Sequence, residues 1–151
     1  MKTKLAQALG FTAALVAASS FAQNIKVAQV VELSGGGTAA GTMYRNGAKL
    51  AINEINAAGG IMGKKIEVME LDTQSQPAIA KAMTVKAIDD KVTAIFGPVF
   101  SGSILVSQTE SQKANIPNFT GGEASNVTAQ GNPYIFRSSF NQSMGMPKVA
   151  N

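Results

Sequence analysis

This 151-residue sequence predicts an α/β fold: an open parallel sheet with helices on both faces. Three observations carry that prediction. Runs rich in β-branched residues alternate with helix-periodic stretches through at least three units. Each strand-like run leads into a loop containing Gly, Ser or Thr. The residues are 45% hydrophobic and 15% charged, enough apolar surface to bury a core.

Residues 1–22 stand apart from the rest. Lys2 and Lys4 precede a nearly uncharged run from Leu5 to Val16, which closes on Ser19-Ser20-Phe21-Ala22. A basic start, an apolar middle and a small-x-small end are the layout of a secretory signal peptide, with cleavage expected after Ala22. Gln7, Gly10 and Thr12 make the run too short and polar to read as a membrane span. Losing Lys2 and Lys4 lowers the formal charge from +4 to +2, so the mature chain is only mildly basic.

The alternation begins at Ile25 to Val31, a strand that runs into Ser34-Gly35-Gly36-Gly37. A helix follows, with Tyr44, Gly47, Ala48, Ala51, Ile52 and Ile55 on one apolar face and Gly59-Gly60 at its end. Lys65 to Leu71 reads as the second strand. Pro77 suits the first turn of the next helix, whose inner face carries Ala80, Met83, Ala87 and Ile88. Val92 to Phe96 is the third strand, ending at Gly97-Pro98. Ser101-Gly102-Ser103 opens the third helix, Ile116 to Phe119 is the fourth strand, and Tyr134 to Arg137 is a short fifth. Another helix starts after Ser143. Ligands of such sheets sit at the carboxyl ends of the strands. The loops of interest are therefore Leu33 to Gly41, Asp72 to Gln76, Gly97 to Ser103 and Thr120 to Thr128.

Composition restricts the chemistry those loops can perform. The chain has no Cys and no His, which excludes a zinc finger, a Cys-His nucleophile, a Ser-His-Asp triad and any disulfide. Glu32, Glu70 and Asp72 fall on separate loops, which gives no paired-carboxylate mechanism. Lys64-Lys65 is the one adjacent basic pair and has no aromatic stripe beside it, so nucleic acid is not an expected partner. Neither a metal nor a cofactor is called for.

Three loop patterns remain. Gly35 to Gly41 matches G-x-G-x-x-x-G between a strand and a helix, with Asp72 available for a ribose hydroxyl; this supports a reading as a nucleotide-dependent enzyme, or else a turn of small residues. Asp72 comes 31 positions after Gly41, where about 20 residues into the motif is usual. Ser101 stands at a strand end and a helix start, where its hydroxyl and nearby N–H groups suit a carboxylate ligand or cap the helix. One strand later, Thr120-Gly121-Gly122-Glu123-Ala124-Ser125 offers further backbone and hydroxyl groups. There Glu123 either pairs with a ligand ammonium or is a solvated loop charge.

Longer segments add a resemblance. Arg45-Asn46-Gly47-Ala48, Asn53 to Ile61, Gly63-Lys64-Lys65-Ile66-Glu67, Ile88 to Val92, Gly97-Pro98 with Ser101-Gly102-Ser103, and Asn132 to Arg137 together resemble the periplasmic branched-chain amino-acid-binding proteins. These are the type I solute-binding proteins that feed ABC importers, and the likeness runs from about Ile25 to Asn151. It implies a non-enzymatic, monomeric periplasmic protein. Such a protein closes two lobes around a small carboxylate-bearing solute and delivers it to an inner-membrane permease. The ligand-binding residues carried over are Ser101, Gly122, Glu123, Ala124 and Ser125, with Ser125 or a neighbour as the hydroxyl. Ala40 matches a position that is a large aromatic in leucine binders. Ser75 and Phe100 match a cysteine pair of some relatives, so that bridge is absent. These departures keep binding of an aromatic acid or an amide in view. Family members are more than twice as long, so 23–151 is expected to be the N-terminal, incomplete part of the first lobe and to bind solute weakly alone.

Overall fold

A computed structural model describes residues 23–149. The expected signal peptide, residues 1–22, lies outside the described residues. The elements run β1 (Ile25–Val31), a 3-10 turn (Gly35–Gly37), α1 (Thr38–Ala57), β2 (Ile66–Asp72), α2 (Pro77–Asp89), β3 (Ala94–Phe96), α3 (Ser101–Lys113), β4 (Asn118–Thr120), a second 3-10 turn (Ser125–Val127), β5 (Ile135–Arg137) and α4 (Gln142–Val149). The strands form one parallel sheet in the order β2-β1-β3-β4-β5. The predicted fold class holds. β3 and β4 are shorter than expected: Thr93 only bonds to the edge of β1 through Lys26 O, and Gly97, at φ +98°, turns the chain out of β3. Gly97 lies so close to the Val30 carbonyl that a β-carbon there has no room.

Side chains alternate across β1 and sort the helices onto two faces. Ala28 and Val30 point into a cluster with Leu71, Ala87, Val92 and Ile95, the face that α2 covers. α3 packs beside α2 and adds a second cluster of Ile104, Val127 and Ile135. Gln29 points the other way and donates from Nε2 to Arg45 O of α1. Phe96 is the register partner of Gln29, and Phe96, Phe119 and Phe136 stack across β3, β4 and β5 with ring centroids 5.5 and 5.2 Å apart.

Two helix faces differ from the sequence pattern. On α1 the expected face is rotated: Gly41 and Ile52 are buried and Tyr44 and Ala48 half-buried, whereas Gly47, Ala51 and Ile55 are exposed. On the same helix Arg45 and Lys49 pair with Glu70 of β2 at 3.7 and 3.5 Å. On α3 the buried face is largely polar, comprising Ser103, Ile104, Ser107, Gln108 and Ser111. Ser107 and Ser111 donate their hydroxyls back to the carbonyls of Ser103 and Gln108, which removes the cost of burying them. Their small size lets α3 approach Ala80, Thr84 and Ala87, the buried residues of α2.

Candidate functional site

The loops at the carboxyl ends of the strands are tied to one another by side chains. After β1, Leu33 N and Ser34 N donate to Asp72 Oδ1 at 2.9 and 3.1 Å, and Ser34 Oγ donates to Asp72 Oδ2 at 2.6 Å. Gln74 N adds a fourth donor. Burial pushes the Asp72 carboxyl up, but the hydrogen bonds from Ser34, Gln74 and Leu33 outweigh it and hold the group below its ordinary value. Ser75 Oγ donates to Ser34 O and accepts from Gly37 N, so the β2 loop grips the β1 loop twice. Glu32, fully buried, accepts from Val99 N and Phe100 N of the third loop at 3.0 and 3.2 Å.

Ser101 is the first residue of α3, and Phe100 occupies the cap position with no side-chain capping bond. The serine therefore does not cap its helix. Its Oγ accepts from Ala124 N at 3.2 Å, which leaves its own proton free to donate. Ile104 N to Phe100 O is the first backbone bond of this turn, so the N–H groups of Ser101, Gly102 and Ser103 precede the helical ladder. Gly122 is buried against this turn, where a β-carbon would collide with Ile104 Cδ1 and lie 3.1 Å from Ser101 Oγ.

Arg137 of β5 fixes the fourth loop from behind. Its guanidinium donates to Gly122 O, to Ala124 O at 2.8 Å and to Thr128 Oγ1 at 3.2 Å, and Ser139 Oγ also donates to Gly122 O. With its carbonyls held by Arg137, the loop turns Ala124 N toward Ser101. Tyr44 of α1 joins the same end of the sheet, its hydroxyl donating to Phe119 O at 2.8 Å. Burial raises the Tyr44 phenol above its ordinary range, against hydrogen bonds from Ser138 and the Gly97 backbone.

An open cleft of about 450 Å³ lies between these loops, lined by Ala40, Val99, Phe100, Ser101, Gly102, Gly121 and Glu123. A slightly larger hollow, about 520 Å³, lies at the opposite, amino end of β1 and β2 among Asn24, Lys26, Lys64, Glu67, Asp90 and Lys91. The carboxyl-end cleft is the candidate because parallel sheets bind ligands there and because its polar groups converge. Ser101 and Glu123 line it, while Gly122 and Ala124 support Ser101 from below. Ser125 is not among the lining residues, and its hydroxyl donates to Asn141 Oδ1 at 3.0 Å. Sequence reading missed the roles of Glu32, Arg137 and Asp72 as ties between loops. The sequence shows of Glu32 only a carboxylate directly after a strand-like run, which does not reveal its partners.

Gly35 to Gly41 does not form a phosphate cradle. A β-carbon on Gly37 would come within 2.8 Å of the Phe100 ring and 2.9 Å of Glu32 Cβ, and Gly41 lies against the Glu32 backbone. These glycines make room for the protein's own chain, and Asp72 is spent on its neighbours. Among the described residues, no group of three His, Cys, Asp or Glu side chains is placed to hold a metal ion.

The periplasmic binding protein family model matches residues 24–151. The chain belongs to that family. The leucine-specific-binding protein of Salmonella typhimurium is 32% identical over 142 residues, covering 93% of this chain. The branched-chain amino acid transporter substrate-binding protein LivJ of Streptococcus pneumoniae, solved with isoleucine, is 38% identical and superposes on 80% of this chain with a TM-score of 0.77. An ABC-transporter solute-binding protein of Rhodopseudomonas palustris, solved with 3,4-dihydroxybenzoic acid, is 29% identical, with a TM-score of 0.72 over 80% of this chain. The binding-protein chain spans 38% of the length of the Salmonella relative and 35% of the pneumococcal one.

Proposed function

We propose that this chain supplies one wall of the solute site of a periplasmic substrate-binding protein. That protein, a monomer, captures a small carboxylate-bearing solute of the branched-chain amino acid class and delivers it to an inner-membrane ABC permease. Residues 1–22 act as the export signal, and residues 23–151 form the opening part of the first lobe. The observation that carries this reading is Ser101. Its Oγ accepts from Ala124 N and so has a proton left for a ligand, at a helix start whose unbonded N–H groups favour an anion. In this reading Glu123 receives the solute's ammonium, which its presence among the cleft-lining residues supports.

In the protein that carries this segment, Ser101→Ala is expected to weaken L-leucine binding by about 1–3 kcal/mol, the loss of one charge-assisted hydrogen bond. Calorimetry giving an unchanged Kd removes Ser101 from the site. The isolated segment 23–151 is expected to bind L-leucine weakly, since its cleft is an open wall. Micromolar affinity for that segment alone overturns the one-wall reading.

A second reading, an aromatic acid as solute, is supported by the lining of the cleft. Ala40 leaves width beside Phe100, a half-exposed aromatic residue of the cleft lining against which a flat ring could pack. Competition between L-leucine and 3,4-dihydroxybenzoate, read by calorimetry, separates the two solutes.

A further inference from the structure

Glu32 directly follows β1 and is completely buried. Among the described residues it has no ion-pair partner; its two carboxylate oxygens accept instead from Val99 N and Phe100 N. A buried carboxylate is costly unless its lone pairs are met by donors, and neither of these donors is a cation. The compensation comes from the start of α3, where backbone N–H groups and the helix dipole favour negative charge. Space for the side chain is provided by Gly37 and Gly41, which lie against its Cβ and backbone, so the 3-10 turn and the first turn of α1 close over it.

The two N–H groups that Glu32 holds belong to the residues immediately before Ser101. The tie therefore sets where α3 begins and where the Ser101 hydroxyl stands relative to Ala124 N. We infer that Glu32 is a positioning residue of the solute site. It acts as a built-in anion that takes the N–H pair ahead of α3, orients Ser101, and leaves the solute's carboxylate to the Ser101 hydroxyl and the N–H groups that follow. This inference rests on the reading of Ser101 as a ligand contact.

Two measurements separate that reading from the role of Glu32. The first needs no solute: in the wild-type chain the Val99 and Phe100 amides are expected to exchange as slowly as those of the sheet, and at least tenfold faster in Glu32→Gln, whose amide faces one of the two donors with a donor. Exchange of either wild-type amide at open-loop rates overturns the inference, whether or not any variant folds. The second is a cycle of Glu32→Gln, Ser101→Ala and the double variant in the protein that carries this segment, with L-leucine as the probe. Glu32→Gln is expected to weaken binding about tenfold, and the double variant to bind no more weakly than Ser101→Ala alone, because the glutamate acts through the serine. Additive losses, or unchanged binding in Glu32→Gln while Ser101→Ala is weakened, overturn the positioning role. Unchanged binding in Ser101→Ala overturns the site reading instead, and the exchange result then stands or falls on its own.

Discussion

At the residue scale, the tightest demands come from groups that carry little sequence signal of their own. Gly122 has no room for a β-carbon beside Ile104, so Gly122→Ala is expected to cost about 1–3 kcal/mol of stability from overpacking, read as a lower urea midpoint at unchanged slope. Asp72 gives the chain an acid-sensitive tie. Its folded pKa lies below the ordinary 3.8, so its hydrogen bonds stabilise the fold fully above that value and are lost as pH falls through the folded pKa. Urea midpoints measured from neutral pH down into that range should fall less steeply for Asp72→Asn than for wild type; equal slopes would remove Asp72 as the source. Ser101 and Glu123 could be picked out from sequence because Ser101 stands where a strand end meets a helix start and Glu123 is the one carboxylate of the Thr120–Thr128 loop. Glu32 and Arg137 could not, since their roles depend on which backbone groups the fold brings to them. The hydrogen bond from Ser125 to Asn141 likewise depends on what the fold brings beside it.

At the scale of elements, the alternation of strand and helix was legible and the helix faces were not. α1 carries an apolar pattern at helical spacing, yet it packs through Gly41 and Ile52 and leaves Gly47, Ala51 and Ile55 exposed. α3 has almost no apolar stripe, because its buried side is built from serines that bond to their own helix. Its one large anchor is Ile104, completely buried with Val127 and Ile135. Ile104→Ala is expected to cost about 2–5 kcal/mol and to loosen the Gly122 loop that rests on it. Thermal denaturation with a loss below 1 kcal/mol would show that the helix is held by its seam with α2 instead.

At the scale of the whole molecule, strand order follows from the connections: β1 lies between β2 and β3, and the chain then moves outward to β5. β1 is hydrogen-bonded on both edges and buried over Val27 to Val31. Its amides are expected to be the slowest to exchange and those of β5 faster; the reverse order, read by NMR, would place the stable unit elsewhere. The position of the cleft at the carboxyl ends was legible from parallel-sheet topology alone. Its walls were not, because four loops separated by up to about 90 residues meet there.

The ties between those loops run in series. Asp72 joins the β2 loop to the β1 loop, Glu32 joins the β1 loop to the head of α3, Ser101 joins that head to the β4 loop, and Arg137 holds the β4 loop to β5. A solute arriving at this wall meets a finished surface. On the reading proposed above, little rotamer or loop freedom of this wall is left for a solute to take away, so ordering the wall itself takes little from the affinity.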